Sequence, residues 1–267
     1  MGVPDCKKAI GSMTDRRIFV SATDWSDDYV VVGGEQGHHL RDVLRARAGD
    51  LFELIDGQGR WARAAVETIS TRGEVKCRIR EQTLIPPPAP DRLVLLQALV
   101  RFEKFEWILE KATELGVTRV VPLVTAHTEA KWSTMTNARV ERWQKILIES
   151  IKQCRRLHLP ALGTPSPFTQ AVSETTGNFN ILLSERPDTP SLKAVLKKIQ
   201  EPGRREAVGG TCPGVTLAIG PEGGWALEEI ALAEQSGFHA ASLGERILRT
   251  ETAAVSSLAI LGYEMDD

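Results

Sequence analysis

Two stretches near the carboxyl terminus concentrate the residue types that do chemistry. The first, LAIGPEGGW at 217–225, sets Ile219, Gly220, Pro221, Glu222, Gly223 and Gly224 between an apolar run and a helical pattern. Its glycines let a ligand approach main-chain amides and carbonyls closely. A glycine-rich turn entering a helix ordinarily suits phosphate. Here Pro221 removes one donor, and Glu222 puts a negative charge where the anion would sit. The second stretch, LGERILRTETA at 243–253, offers Leu243, Ile247 and Leu248 as an apolar wall beside Gly244, with Arg246, Arg249 and Glu251 as charged groups. Together the turns suit a flat aromatic ligand with polar edges and no net negative charge. Adenosine bearing a sulfonium is one such molecule, and Glu222 or Glu185 would favour its positive charge. Adenosine, a nucleobase or a peptide end satisfies the same surfaces.

The elements that hold these turns alternate. After residue 91, RLVLLQAL, VTRVVPLVT, FNILLSE, GVTLAIG and AASLG read as strands, separated by helical patterns such as FEKFEWILEKATELG and closed by ETAAVSSLAILGY. Alternation of this kind predicts a mostly parallel sheet covered by helices on both faces, with ligands at the carboxyl ends of the strands. A dinucleotide fold would place its glycine turn after the first strand, yet LVLLQALVRFEKFE contains no glycine. The glycine turns follow the fourth and fifth strands, so the site is expected in the late part of the domain.

Residues from about 17 to 85 have another texture: short β-rich pieces broken by glycines and acidic turns, expected to form a small β-barrel or sheet. One helical insert, GHHLRDVLRARAGD, places Leu40, Val43, Leu44 and Ala48 on a common side and ends at Gly49. The segment IPPPAPD at 85–91 can neither continue a helix nor donate to a central strand, which makes it the linker. The first twelve residues precede a second methionine, carry no periodicity, and are set aside as either an alternative start or a cloning remnant.

Composition narrows the class. With 42% hydrophobic and 25% charged residues, the 267-residue chain reads as soluble and globular, and no apolar run approaches a membrane span. Cys6, Cys77, Cys154 and Cys212 are widely spaced, signalling neither disulfides nor a zinc site, and a cytosolic chain is expected. His38 and His39 lack a metal-ligand pattern, and no metal is expected. A net charge of −2 means that any nucleic acid must meet a local basic face. One candidate is 139–158, where six Lys or Arg face two Glu while Val140, Trp143, Leu147, Ile151 and Cys154 recur at helical spacing. A merely solvated surface helix has the same pattern. Arg41, Arg45 and Arg47 are further candidates for phosphate contact.

The motifs IGPEGGW…EE and LGERILRTETA, with EKATELGV and Pro122 upstream and GHHLRDVLRARAGD…DGQG near the amino terminus, resemble those of the RsmE family of 16S ribosomal RNA uridine-N3 methyltransferases. The resemblance spans roughly residues 16–262. It implies an α/β protein with a PUA-like β-barrel RNA-binding domain at 13–85 and a SPOUT methyltransferase domain at 91–267, whose carboxyl-terminal part forms a deep trefoil knot. It further implies S-adenosyl-L-methionine as cofactor, 16S rRNA in the assembled small subunit as partner, and a homodimer with the knot region at its interface. The implied cofactor cleft comprises the LLSER stretch near Leu183 and Glu185, the loop Ile219 to Gly224, and the run from Leu243 through Gly244, Ile247 and Leu248 to Arg249. Two positions depart from the family. Ala226 stands where a capping Ser or Thr is common, so the capping box is expected to be lost. In KQCRRLHLP, Arg156 matches the family's arginine, and Arg155 replaces its glycine.

Methylating uracil N3 requires loss of its proton, after which charge spreads onto O2 and O4. A base and cationic stabilisers are therefore wanted at the base. Glu251 is the candidate base, with Arg249 and Arg156 as candidate stabilisers or phosphate clamps. Arg41, Arg45, Arg155 and Arg156 are the candidate RNA contacts. Glu251 equally suits a helix amino end, where a carboxylate gains roughly 0.3–1 kcal/mol, and positioning alone can supply much of the rate. Two other functions fit the same features: a noncatalytic RNA-binding ribosome-assembly factor, and a SPOUT enzyme with a different RNA target.

Overall fold

Residues 16–71, 73–89, 91–128, 136–175, 179–199 and 214–265 are described in a computed structural model. Cys6, Cys212 and the first twelve residues lie outside that set. The chain divides into two units, one of residues 1–87 with 151–158 and one of 88–150 with 159–267.

The β-rich pieces of the first unit form one sheet from Arg17–Phe19 (β1), Tyr29–Val32 (β2), Leu51–Ile55 (β3), Arg60–Ile69 (β4) and Val75–Leu84 (β5), in the order β1-β3-β4-β5-β2. β1 runs parallel to β3, and the other pairs are antiparallel. The DGQG turn joins β3 to β4: the Asp56 carboxylate accepts the Gln58 amide at 2.7 Å and the Arg60 amide at 3.0 Å. Ile18, Val30, Leu40, Phe52, Leu54 and Val75 fill the core. A buried ion pair sits in the sheet, where Arg17 on β1 donates twice to Glu53 on β3, at 2.9 and 3.0 Å. Burial pushes the Cys77 thiol up to about 12, so it remains a protonated core residue.

The helical insert is shorter than its pattern suggests. A helix at Gly34–His38 (α1) runs into a π turn over His39–Val43, and the Ala46 amide closes it by donating to the Leu40 carbonyl at 3.0 Å. The extra residue of a π turn advances the following side chains by roughly 100°. Leu40 and Ala46 are therefore buried, whereas Val43 and Ala48 are exposed. Arg45 follows in the left-handed region at φ 50°.

In the second unit, the apolar strands Leu93–Ala98 (β6), Arg119–Val124 (β7), Ala161–Leu162 (β8), Ser166–Pro167 (β9), Phe179–Leu183 (β10), Val215–Ile219 (β11) and Phe238–Ala241 (β12) pair in parallel. Their order is β12-β10-β11-β6-β7-β8, with β9 also on β7. Strand residues alternate between two cores. Leu93, Leu95, Ile181 and Leu217 face Phe102–Glu114 (α2), Asn137–Cys154 (α3), Leu192–Ile199 (α5) and Thr250–Met265 (α7). Val94, Leu96, Leu182 and Ala218 face Phe168–Glu174 (α4) and Leu227–Gln235 (α6). The expected parallel sheet with both faces covered is what the chain forms. On α3, Trp143, Leu147 and Ile151 are the buried stripe, while Val140 and Cys154 are half-buried.

Candidate functional site

Three neighbouring parallel strands, β12, β10 and β11, end side by side, and the loop that leaves each one lines a single cavity of about 290 Å³. That volume is near the lower end of small-ligand sites, about 300 Å³. Leu183, Ser184, Glu185 and Arg186 come from the end of β10. Ile219, Gly220, Pro221, Gly224 and Trp225 come from β11, and Ala241 through Leu248 from β12. Ile230 on α6 and Thr250 and Ala253 on α7 complete the wall.

Side chains lock these loops to one another. The Trp225 indole Nε1 donates to the Leu183 carbonyl at 2.7 Å, tying the β11 loop to the end of β10. Thr250 donates to the Gly220 carbonyl at 3.2 Å, tying the same loop to the last helix. A Cβ on Gly220 would lie 3.1 Å from the Trp225 ring, which explains a side chain of hydrogen there. Ser242 Oγ accepts the Gly244 amide at 3.1 Å, shaping the third loop.

Of the residues expected at a cofactor cleft, Leu183, Glu185, Ile219, Gly220, Pro221, Gly224, Leu243, Gly244, Ile247 and Leu248 line the cavity; Glu222, Gly223 and Arg249 do not. Gly223 faces the His127 side chain, whose Cβ would lie 3.0 Å from an added Cβ. Glu222 turns to α2, where Lys104 Nζ meets it at 2.5 Å and also lies 3.4 Å from Glu251 Oε1. Hydrogen bonding to Lys104 holds the Glu222 carboxyl below the usual carboxylate range despite partial burial, and Arg101 and Arg249 add to the effect. The same bond raises the Lys104 ammonium above its usual range. Glu251 Oε2 is buried and has no partner among the described residues. Glu222 is thus already paired, and the carboxylates that line the cavity are Glu185 and Glu245.

Arg41, Arg45, Arg155 and Arg156 all belong to the first unit. Arg41 pairs with Asp42 at 2.7 Å. Arg155 adopts φ 62°, a left-handed conformation that accounts for a glycine in the family pattern. Burial lowers the Arg156 guanidinium below the usual arginine range, against a smaller opposite effect of Cys154. At Ala226 half the capping box survives: alanine has no side-chain acceptor, but Glu229 Oε2 still accepts the Ala226 amide at 3.0 Å while its Oε1 takes the Ala126 amide at 2.8 Å. The sequence did not point to Trp225, Ile230 or Thr250 as part of the site. Only the tryptophan beside the double glycine signalled itself, and its partner lies 42 residues away.

The lining combines apolar walls and main-chain groups with two carboxylates, Glu185 and Glu245, and two arginines, Arg186 and Arg246, a set that accommodates a nucleoside with a charged arm. Two domain families match the chain, an RNA methyltransferase domain over residues 87–262 and an RNA methyltransferase PUA domain over 32–80. The ribosomal RNA small subunit methyltransferase E of Synechocystis sp. is 35% identical over 246 residues, covering 91% of this chain and 76% of that protein. Among solved structures, a methyltransferase from Legionella pneumophila with bound SAM superposes with TM-score 0.77 at 28% identity, covering 92% of this chain and 96% of that one. The ribosomal RNA small subunit methyltransferase E of Neisseria gonorrhoeae, bound to S-adenosyl methionine, gives TM-score 0.77 at 25% identity over 93% and 97% of the two chains. The chain belongs to the RNA methyltransferase family and, within it, groups with the ribosomal RNA small subunit methyltransferase E proteins.

Proposed function

We propose that this protein methylates N3 of a uridine in 16S rRNA of the assembled small subunit, using S-adenosyl-L-methionine. The observation that carries the reading is the cavity built from three adjacent strand ends, in a chain whose relatives of the same fold hold that cofactor. When bound, the cofactor supplies a methyl group on a sulfonium and leaves as a neutral thioether. Leu183, Ile219, Leu243 and Leu248 supply the apolar walls for its adenosine, and Glu185 complements its charge. Glu251 accepts the N3 proton. Arg249 and Arg156 balance charge on the uracil oxygens or on phosphate, and Arg41, Arg45 and Arg155 contact RNA.

The boundaries 13–85 for a PUA-like β-barrel and 91–267 for a SPOUT domain belong to the same proposal, as does a trefoil knot in the latter. In support of the knot, the chain leaves edge strand β12 and reaches past β10 to the β11 loop, where Thr250 bonds Gly220. A homodimer is supported by Ile260 and Tyr263 on α7, which present apolar surface outward, Tyr263 at 83% exposure. A cytoplasmic location accords with the ribosomal target, and among the described residues no helix is long and apolar enough to cross a membrane.

Labelled methyl transfer to small subunits lacking the modification, followed by nucleoside analysis, tests the reading. N3-methyluridine is the expected product. Salt-sensitive RNA binding without transfer would assign a noncatalytic assembly factor instead, and another methylated nucleoside would assign a different target.

A further inference from the structure

We infer that Lys104 is a positioning residue for methyl transfer: its ammonium holds Glu251 by one carboxylate oxygen and leaves the other, buried oxygen free to take a proton from the substrate base. The inference rests on the reading of Glu251 as proton acceptor. Lys104 lies on α2, far in sequence from the loops that line the cavity, and it joins three segments at one point. It pairs with Glu222 from the β11 loop and stands 3.4 Å from Glu251 Oε1 in the first turn of α7. Glu251 is only 17% exposed, and its Oε2 has no donor among the described residues. A buried carboxylate oxygen without a donor is costly unless something arrives to fill it. Thr250, the preceding residue, walls the cavity, so the acceptor lies at the edge of the proposed cofactor site.

The charges explain why a lysine is needed there. Glu222 and Glu251 converge on one ammonium, and Arg101 and Arg249 act on Glu222 from further away. Without Lys104, two carboxylates would face each other across a partly buried corner with no cation between them to hold either in place. Lys104 therefore fixes which Glu251 oxygen is presented to the substrate.

The test uses the full chain and small subunits lacking the modification. Lys104→Met should lower kcat about tenfold or more, within the contribution of general-base groups, while S-adenosylmethionine affinity measured by calorimetry stays within about twofold. Lys104→Arg should restore the rate. If Lys104→Met unfolds the protein, Lys104→Met combined with Glu222→Gln removes the pair together; it should fold and keep the lowered kcat. A wild-type kcat in either variant would overturn the inference, as would loss of cofactor affinity with kcat unchanged. Glu251→Gln separates the two readings. Full activity in that variant removes Glu251 as acceptor, whereas an inactive Glu251→Gln beside a wild-type Lys104→Met removes only the role of the lysine.

Discussion

Gly220 and Gly223 stand three residues apart in one loop yet answer to different neighbours. A Cβ at Gly220 meets the Trp225 ring at 3.1 Å, and Trp225 holds the end of β10 through Leu183. Gly220→Val should therefore displace the indole and weaken S-adenosylmethionine binding by tenfold or more, about 1.4 kcal/mol, with circular dichroism unchanged. Gly223 abuts His127 rather than the cavity, so Gly223→Val should disturb the loop after β7 and cost less affinity. Calorimetric titration of both variants checks the order. Arg155 shows the converse case, a long side chain where the backbone is left-handed. Arg155→Gly should relieve about 1 kcal/mol of that strain, partly offset by the greater freedom of glycine in the unfolded chain. A rightward shift of the urea midpoint is the expected outcome.

At the scale of elements, what the sequence made legible was whatever local pattern controls. The two late turns announced themselves because glycine and proline punctuate strand and helix regardless of distant neighbours. The stripe of Trp143, Leu147 and Ile151 follows from helical spacing alone. The π turn at His39–Val43 was not legible, since nothing in GHHLRDVLRARAGD distinguishes an inserted residue from a regular turn, and Val43 and Ala48 were placed on the wrong face. Lys104 was missed for another reason: its partners lie 118 and 147 residues along the chain, beyond any periodicity. The Glu229 cap is likewise half local and half distant. Removing it in Glu229→Ala should leave two amides without acceptors and cost about 1–2 kcal/mol, measured by chemical denaturation. The segment at 157–158 also joins by long-range contacts, with Leu157 accepting the Gly59 amide and His158 meeting the Ile85 carbonyl at 3.1 Å.

That histidine sets a pH dependence for the molecule as a whole. Burial holds the His158 ring below the ordinary histidine range; the Ile85 carbonyl opposes this, Arg156 reinforces it and Asp56 opposes it. The folded form takes up the proton at lower pH than the unfolded form. Stability should thus be full above about pH 6.5 and decline as pH falls below it. Thermal melts across that window should show the decline, and His158→Gln should flatten it. The proposed dimer makes a second prediction at this scale: Tyr263→Glu should halve the sedimenting mass, since a charge would be buried in the apolar contact. Finally, Thr250 and Ala253 wall the cavity, and Thr250 clasps Gly220 to the last helix. During translation, a nascent chain that has emerged only as far as β12 carries the strands but lacks that clasp and part of the wall, so prematurely terminated polypeptides should withdraw less methyl donor from the cell's pool.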